Sequence, residues 1–353
     1  MLPSRLILFI TTKCDLRCKH CFFSNSLNNQ DPDLTAEDIK RIIDNYPTGL
    51  EHVIITGGEP FLNKDLTAIV CNVKAKSVNI PTNGNNPGLI LAKTEEILKK
   101  AKGVGRIGIS VSLDGPEDVH DRIRGRQYSY RNALNALAGL KKLEKEYPKL
   151  STGSGTTLSK LNIECLREMA DFKWNTLGEK FSFQMARSIE YSNLPAHLRE
   201  KIGSAQDCSA MPSDFPETVM NKFDTIKEIY FKNLLSRNIR SKSNIVKDLL
   251  NYFKSMSLLK AYLATIKERK RILPCYAGYS IGVIYSNLDV SFCEFMKPIG
   301  NLKEYDFSLH KIWHSKKADE LRKVVSRCFC THTCFVSFGK YDLRKLTYWA
   351  RKI

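Results

Sequence analysis

At 353 residues the chain is roughly twice a common domain of ~150 and can enclose a full core. Its 42% hydrophobic, 26% charged and 10% aromatic content excludes a disordered, fibrous or collagen-like protein. The 55 Lys and Arg against 37 Asp and Glu leave +18, which admits an acidic or phosphate-bearing partner but reads most simply as a solvated basic surface.

From residue 5 to 187, β-type apolar runs alternate with helical patterns. The strand candidates are Leu6 to Ile10, Val53 to Ile55, Val78 to Ile80, Ile107 to Leu113, Gly155 to Leu158 and Phe181 to Met185. Such alternation predicts βα repeats around a parallel sheet. Thr35 reads as an N-cap with Asp38 at N3, heading a helix that sets Ile39, Ile42, Ile43 and Tyr46 on one face. After the fourth strand Ala133, Ala136, Leu137, Leu140 and Leu143 form a stripe that leaves Lys141, Lys142 and Lys145 for solvent. These units predict an α/β protein built as a partial (βα)6 TIM-like barrel over residues 1–187.

Residues 188–273 change character. Pro195, Pro212 and Pro216 punctuate a polar loop, and Lys222 to Arg271 then carries thirteen basic residues against four acidic ones in helical sequence. This basic, helical insert is either a solvated face or an anion-facing lid over the active site. Residues 274–336 read as a small β-hairpin/helix domain: Ile281 to Tyr285 and Val290 to Phe292 flank Ser286-Asn287-Leu288-Asp289. A helix carrying Trp313 and Leu321 inward follows, then Cys328, Cys330 and Cys334, and a basic tail spans 337–353.

The cysteine count is eleven. Leu6 to Ile10 is too short for a signal h-region, Lys13 before Cys14 spoils a lipoprotein-type cleavage site, and no run approaches the ~18 apolar residues of a membrane span. The expected compartment is therefore the cytoplasm, where thiols stay reduced and clustered cysteines read as ligands before disulfides.

Cys14, Cys18 and Cys21 stand at C-x3-C-x2-C directly after the first strand. Three thiolates are one too few for structural zinc, and His20 sits too close to Cys21 for both to reach one ion. A 4Fe-4S cube held by three cysteines keeps one iron open, which makes a catalytic site. Cys14-Asp15-Leu16-Arg17-Cys18-Lys19-His20-Cys21 resembles the C-x3-C-x-aromatic-C signature of the radical S-adenosylmethionine enzymes, with His20 in place of the commoner aromatic that lies against adenine. Thr56-Gly57-Gly58-Glu59-Pro60 is similar to that family's GGEP motif, which holds the methionine amino group. Glycines after a strand also let backbone carbonyls approach an ammonium, with Glu59 adding negative charge. Thr82-Asn83-Gly84 and Ser112-Leu113-Asp114-Gly115, with His120, Asp121, Arg124 and Gly125, are further family marks. The resemblance implies that Asn83 belongs to the cofactor site and puts Ser112 and Arg124 on the cofactor carboxylate, with Arg122 as a rival. Gln184 and Arg187 can face the adenosine or the substrate, or edge the core.

Cys275 and Cys293 bracket the hairpin and Cys328, Cys330 and Cys334 close the set. This resembles the Twitch domain, the shorter relative of SPASM, which implies an auxiliary 4Fe-4S cluster. The favoured ligands are Cys275, Cys293, Cys330 and Cys334, with Cys328 as alternative ligand or spare; zinc held by four cysteines is the plainer option. Cys71 and Cys165 read as packed thiols. Cys208 is either a hydrogen-atom donor to a substrate radical, as epimerising family members use, or a buried thiol.

The resemblance implies an enzyme that cleaves S-adenosylmethionine reductively to a 5′-deoxyadenosyl radical, which abstracts hydrogen from its substrate. It also implies two 4Fe-4S clusters and a reductant such as flavodoxin or ferredoxin. The expected substrate is an anionic small molecule, a sugar or nucleotide derivative that is oxidised or otherwise modified. Cross-linking or epimerisation of a ribosomal peptide is the alternative. A zinc-dependent nucleic-acid-binding module would suit +18 and two cysteine clusters, but it needs neither GGEP after a strand nor a carboxylate-binding Ser and Arg.

Overall fold

A helix between successive strands returns the chain across the sheet, so neighbouring strands pair in parallel. The computed structural model describes residues 2–47, 49–187, 197, 215–240 and 245–330. β1 (Arg5–Phe9), β2 (Leu50–Thr56), β3 (Ala75–Thr82), β4 (Val104–Ser112), β5 (Leu150–Leu158) and β6 (Phe183–Met185) lie side by side in chain order. Leu6 faces Val53 and Ile7 faces Ile54 at the first junction. The connections are α1 (Ala36–Asp44), α2 (Leu66–Asn72), α3 (Pro87–Lys100), α4 (Glu117–Arg124) with α5 (Ser129–Glu146), and α6 (Leu166–Asn175). The sheet is open, as a partial barrel requires.

Local chemistry places the helix starts. Thr35 caps α1 in a complete capping box with Asp38, and Asn86 caps α3 with Pro87 at its first position, where a missing N–H costs nothing. Ile39, Ile42 and Ile43 of α1 are buried as the stripe predicts. Lys141 departs from its solvent reading: its Nζ reaches Leu177 O and lies 2.9 Å from Glu179, which holds the side chain against the fold.

The hairpin does not stand apart from the barrel. β7 (Ile281–Ile284) pairs in parallel with β1, Arg5 opposite Ile281, and β8 (Asp289–Ser291) and β9 (Gly300–Asn301) continue antiparallel in the same nine-stranded sheet. The helix expected after them is two, α10 (Leu309–Trp313) and α11 (Lys316–Arg327), because the Ser315 side chain accepts from Ala318 N and starts a new helix. Trp313 is fully buried, edge-on to Phe292 at 5.0 Å, and one apolar core runs from β1–β5 into α10 and α11.

α7 (Phe215–Asn221), α8 (Phe223–Arg240) and α9 (Ile245–Glu268) build a second core in which Val219, Ile226, Met256 and Leu259 meet Leu158, Leu166 and Met169. Their cations turn to nearby acids, Lys222 to Glu164 and Lys232 to Asp171, at 2.6 and 2.7 Å. Cys208, Cys334, Pro195, Pro212 and the 337–353 tail lie outside the described residues. No described helix is long and apolar enough to cross a membrane.

Candidate active site

The loop after β1 is held by the backbone of the loop after β2. Gly58 N donates to Thr11 O and Glu59 N to Lys13 O, at 2.9 and 2.7 Å. A Cβ on Gly57 would stand 2.3 Å from Thr11 O, and one on Gly58 2.2 Å from Lys13 O. Both glycines are therefore required by the approach of two backbones, a reason different from the ligand contact expected of them. Asn28 fixes Cys14 from the other side, its Oδ1 accepting from Cys14 N at 2.9 Å and its Nδ2 donating to Cys14 O at 3.1 Å.

β3 and α4 add further clamps. Asn83 Nδ2 and Asn85 Nδ2 donate to the Asp15 carboxylate at 2.8 and 2.6 Å, and Lys19 N donates to Ile123 O. Glu59 is 4% exposed. It accepts from Phe61 N and Thr82 Oγ1 on one oxygen and from Asn83 N on the other. Burial nevertheless pushes its pKa up to about 7, so a cation arriving beside it would favour the ionised form.

Behind the cysteines lies a buried charge network. Arg124 Nη2 sits 2.5 Å from Asp114 Oδ2 and its Nη1 lies 3.6 Å from Cys18 Sγ. Burial alone would raise the pKa of Asp114, but Arg124, helped by His20 and His120, holds the carboxyl below its usual range. His20 Nε2 lies 3.9 Å from Asp114, and burial drops its pKa to about 4, so the ring is neutral. Arg122 is exposed. Of the two arginines it is Arg124 that borders the cavity, already engaged with Asp114 and Cys18.

A cavity of about 480 Å³ collects these groups. Cys14, Cys18, His20, Cys21, Thr56, Gly57, Gly58, Glu59, Asn83, Ser112, Arg124 and Gln184 all border it; Pro60 is buried in the turn behind Glu59. Asn79, Ser110, Thr157, Arg187 and Glu294 border it too. Sequence reading missed Glu294, whose only signal was an acidic residue directly after Cys293. The described residues of α7, α8 and α9 do not reach this cavity, so of the two readings of the insert the anion-facing lid is not found among them.

The second cysteine set gathers at element ends. Cys275 follows α9, Cys293 follows β8, and Cys328 is the C-cap of α11 with Cys330 just beyond. Burial raises the Cys293 pKa well above the usual thiol value, and Cys275, Cys330 and Cys328 raise it further. Cys328 is thus a close neighbour of Cys293. Burial raises the Cys275 pKa, which the nearby Arg271 cation partly offsets, and Arg271 Nη1 donates to Ser326 O at 2.8 Å.

Among the described residues no group of His, Cys, Asp or Glu side chains is arranged to hold a metal ion. The donor chemistry itself fits the expected groups. Burial lifts Cys14 to about 12 and Cys21 to about 11 and raises Cys18, so ligation would displace thiol protons, and Arg124 would balance thiolate charge.

A three-cysteine loop and a buried glutamate thus meet in one cavity at the strand ends of an open parallel sheet. Residues 8–172, just under half of the chain, match the Radical SAM superfamily. The Fe-coproporphyrin III synthase of Methanosarcina barkeri (strain Fusaro / DSM 804) is 30% identical over 184 residues, 48% of this chain and 43% of that protein. The GTP 3',8-cyclase of Limosilactobacillus fermentum (strain NBRC 3956 / LMG 18251) is 37% identical over 123 residues, 33% of this chain and 36% of that one. The chain thus spans less than half the length of the curated relatives it matches. The solved structure of anSMEcpe with bound AdoMet shares the fold, with a TM-score of 0.62 at 16% identity over 99% of this chain and 97% of that one.

Proposed function

We propose that this enzyme couples reductive cleavage of S-adenosylmethionine to hydrogen abstraction from an anionic, hydroxyl-bearing small molecule, a sugar or nucleotide derivative. The observation that carries the reading is one cavity bordered by three loop cysteines, a buried glutamate and a run of neutral hydrogen-bonding side chains. A 4Fe-4S cluster on Cys14, Cys18 and Cys21 would supply the electron for cleavage.

The chain's own residues do the rest. Glu59, held by three donors, receives the methionine ammonium, and the Ser112 hydroxyl is placed for its carboxylate. Arg124 acts from behind, keeping Asp114 ionised and charge-balancing Cys18. Asn79, Ser110, Thr157 and Gln184 offer donors and acceptors to hydroxyls and carbonyls. The cations on the lining, Arg124 and Arg187, are each paired with a carboxylate, so hydroxyl recognition outweighs charge. A relative named for a reaction of GTP supports an anionic small molecule. We assign a second 4Fe-4S cluster to the C-terminal cysteines, a flavodoxin- or ferredoxin-like donor as reductant, and the cytosol as compartment.

The test is anaerobic reconstitution with iron and sulfide, reduction by dithionite, and measurement of methionine and 5′-deoxyadenosine. Wild type is expected to form both, faster with phosphorylated sugars or nucleotides present, and Cys18→Ala to form neither. Full cleavage by that variant would overturn the assignment; stimulation by peptides alone would overturn the substrate class.

A further inference from the structure

Arg187, at the end of β6, touches both cysteine-bearing segments. Its guanidinium lies 4.4 Å from the centre of the Phe22 ring, next to Cys21. Its Nη1 donates to Glu294 Oε2 at 2.5 Å, and Glu294 directly follows Cys293. The Arg187 side chain is 15% exposed and that of Glu294 3%, and both border the cavity. Tyr285 ties the same corner: its hydroxyl donates to Glu294 O at 3.4 Å while its ring lies parallel to Phe23 at 6.5 Å and 5.1 Å from Phe9.

A buried ion pair adds little net stability compared with apolar residues of the same shape, yet breaking one partner is costly, so its effect is to fix geometry. Glu294 is fixed at one end by Cys293, whose thiol neighbours Cys275, Cys328 and Cys330. Phe22 is fixed at the other by Cys21, whose amide donates to Cys18 O at 3.0 Å.

We propose that Arg187 and Glu294 form a positioning latch between the two cysteine sets, so that placement of Cys293 sets the position of Phe22 and of the cavity wall beside Cys21. Its consequence for catalysis rests on the radical SAM reading of the cavity, but the latch itself does not. Ligation at the C-terminal cysteines then tightens the catalytic cavity without touching it, and Arg187 and Glu294 are positioning residues.

The experiment is hydrogen exchange at the amides of residues 21–24 in the full, reconstituted chain. We expect exchange to accelerate at least ~10-fold in Glu294→Gln, in Arg187→Met and in Cys293→Ser. The reversed pair Arg187→Glu with Glu294→Arg should restore slow exchange. Unchanged exchange in the first two variants, or a reversed pair as fast as either, would overturn the latch. Arg187→Lys, which keeps the charge, serves if Glu294→Gln does not fold, and is then expected to exchange more slowly than Arg187→Met; equal rates would reject the proposal. No S-adenosylmethionine is needed, so wild type unable to cleave it would sink the functional reading and leave the latch standing.

Discussion

The two cysteine sets differ in what holds them before any metal arrives. Cys14, Cys18 and Cys21 sit in one loop that the backbones of the loop after β2 and of α4 and the side chains of Asn28, Asn83 and Asn85 grip directly. Cys275, Cys293, Cys328 and Cys330 come from the ends of α9, β8 and α11, so gathering them closes chain loops whose entropy must be offset. The sheet preorganises the first site. On the proposed reading the second would draw on ligation for part of its order, as in metal-coupled folding.

Removing ligands breaks that comparison most sharply. With Cys14, Cys18 and Cys21 all changed to Ala, iron per chain should fall from about eight to about four and cleavage should vanish, while thermal stability hardly changes. Cys293→Ala should lose a similar amount of iron but keep uncoupled cleavage, lose product and melt at clearly lower temperature. Equal melting temperatures for the two variants would refute the asymmetry.

Gly58→Ala attacks the grip itself. A methyl 2.2 Å from Lys13 O must push the cysteine loop away, so we expect a cost of about 3 kcal/mol in denaturant unfolding, together with lost S-adenosylmethionine binding. Wild-type stability in that variant would show the approach to be dispensable.

Glu59 sharpens the comparison through pH. Its folded pKa of about 7 lies above the ordinary 4.5, so the native state binds more protons between those values. Stability therefore falls as pH rises from 4.5 to 7 and levels off above, by up to about 3 kcal/mol. Cofactor affinity should run the other way, rising with pH through 7 as the carboxylate ionises. Glu59→Gln flattens both curves, which calorimetric titration and unfolding at several pH values would read.

The smallest effect is expected at Lys173, which is 1% exposed and donates to Thr156 Oγ1 at 2.6 Å. Burial lowers its pKa to about 8, so the unfolded chain binds more protons between 8 and 10.5, and stability rises with pH across that window. Lys173→Met should remove the slope and add about 1 kcal/mol at pH 7; an unfolding midpoint lower than wild type would contradict this.

How much was legible follows from contact distance along the chain. The alternating strands, the Thr35 cap and the cysteine loop are local signals, and each is where the sequence puts it. The Arg124 to Cys18 contact spans 106 residues and the Arg187 to Glu294 pair 107. Such partners depend on strand order, which periodicity does not report. The same holds for Asn83 and Asn85 reaching Asp15. The split of α10 from α11 was readable in principle, since Ser315 stands three residues before Ala318 as an N-cap should.

The pairing of β7 with β1 bears on how the protein is born. β1 leaves the ribosome long before the neighbour on its outer side, which begins only at Ile281. Until that segment is made, the strand feeding the first cysteine loop presents a bare row of amides and carbonyls to other nascent chains. Truncations that stop before residue 281 should therefore self-associate, and a chaperone that covers open strand edges would matter more to the yield of this enzyme than one that shields apolar helices.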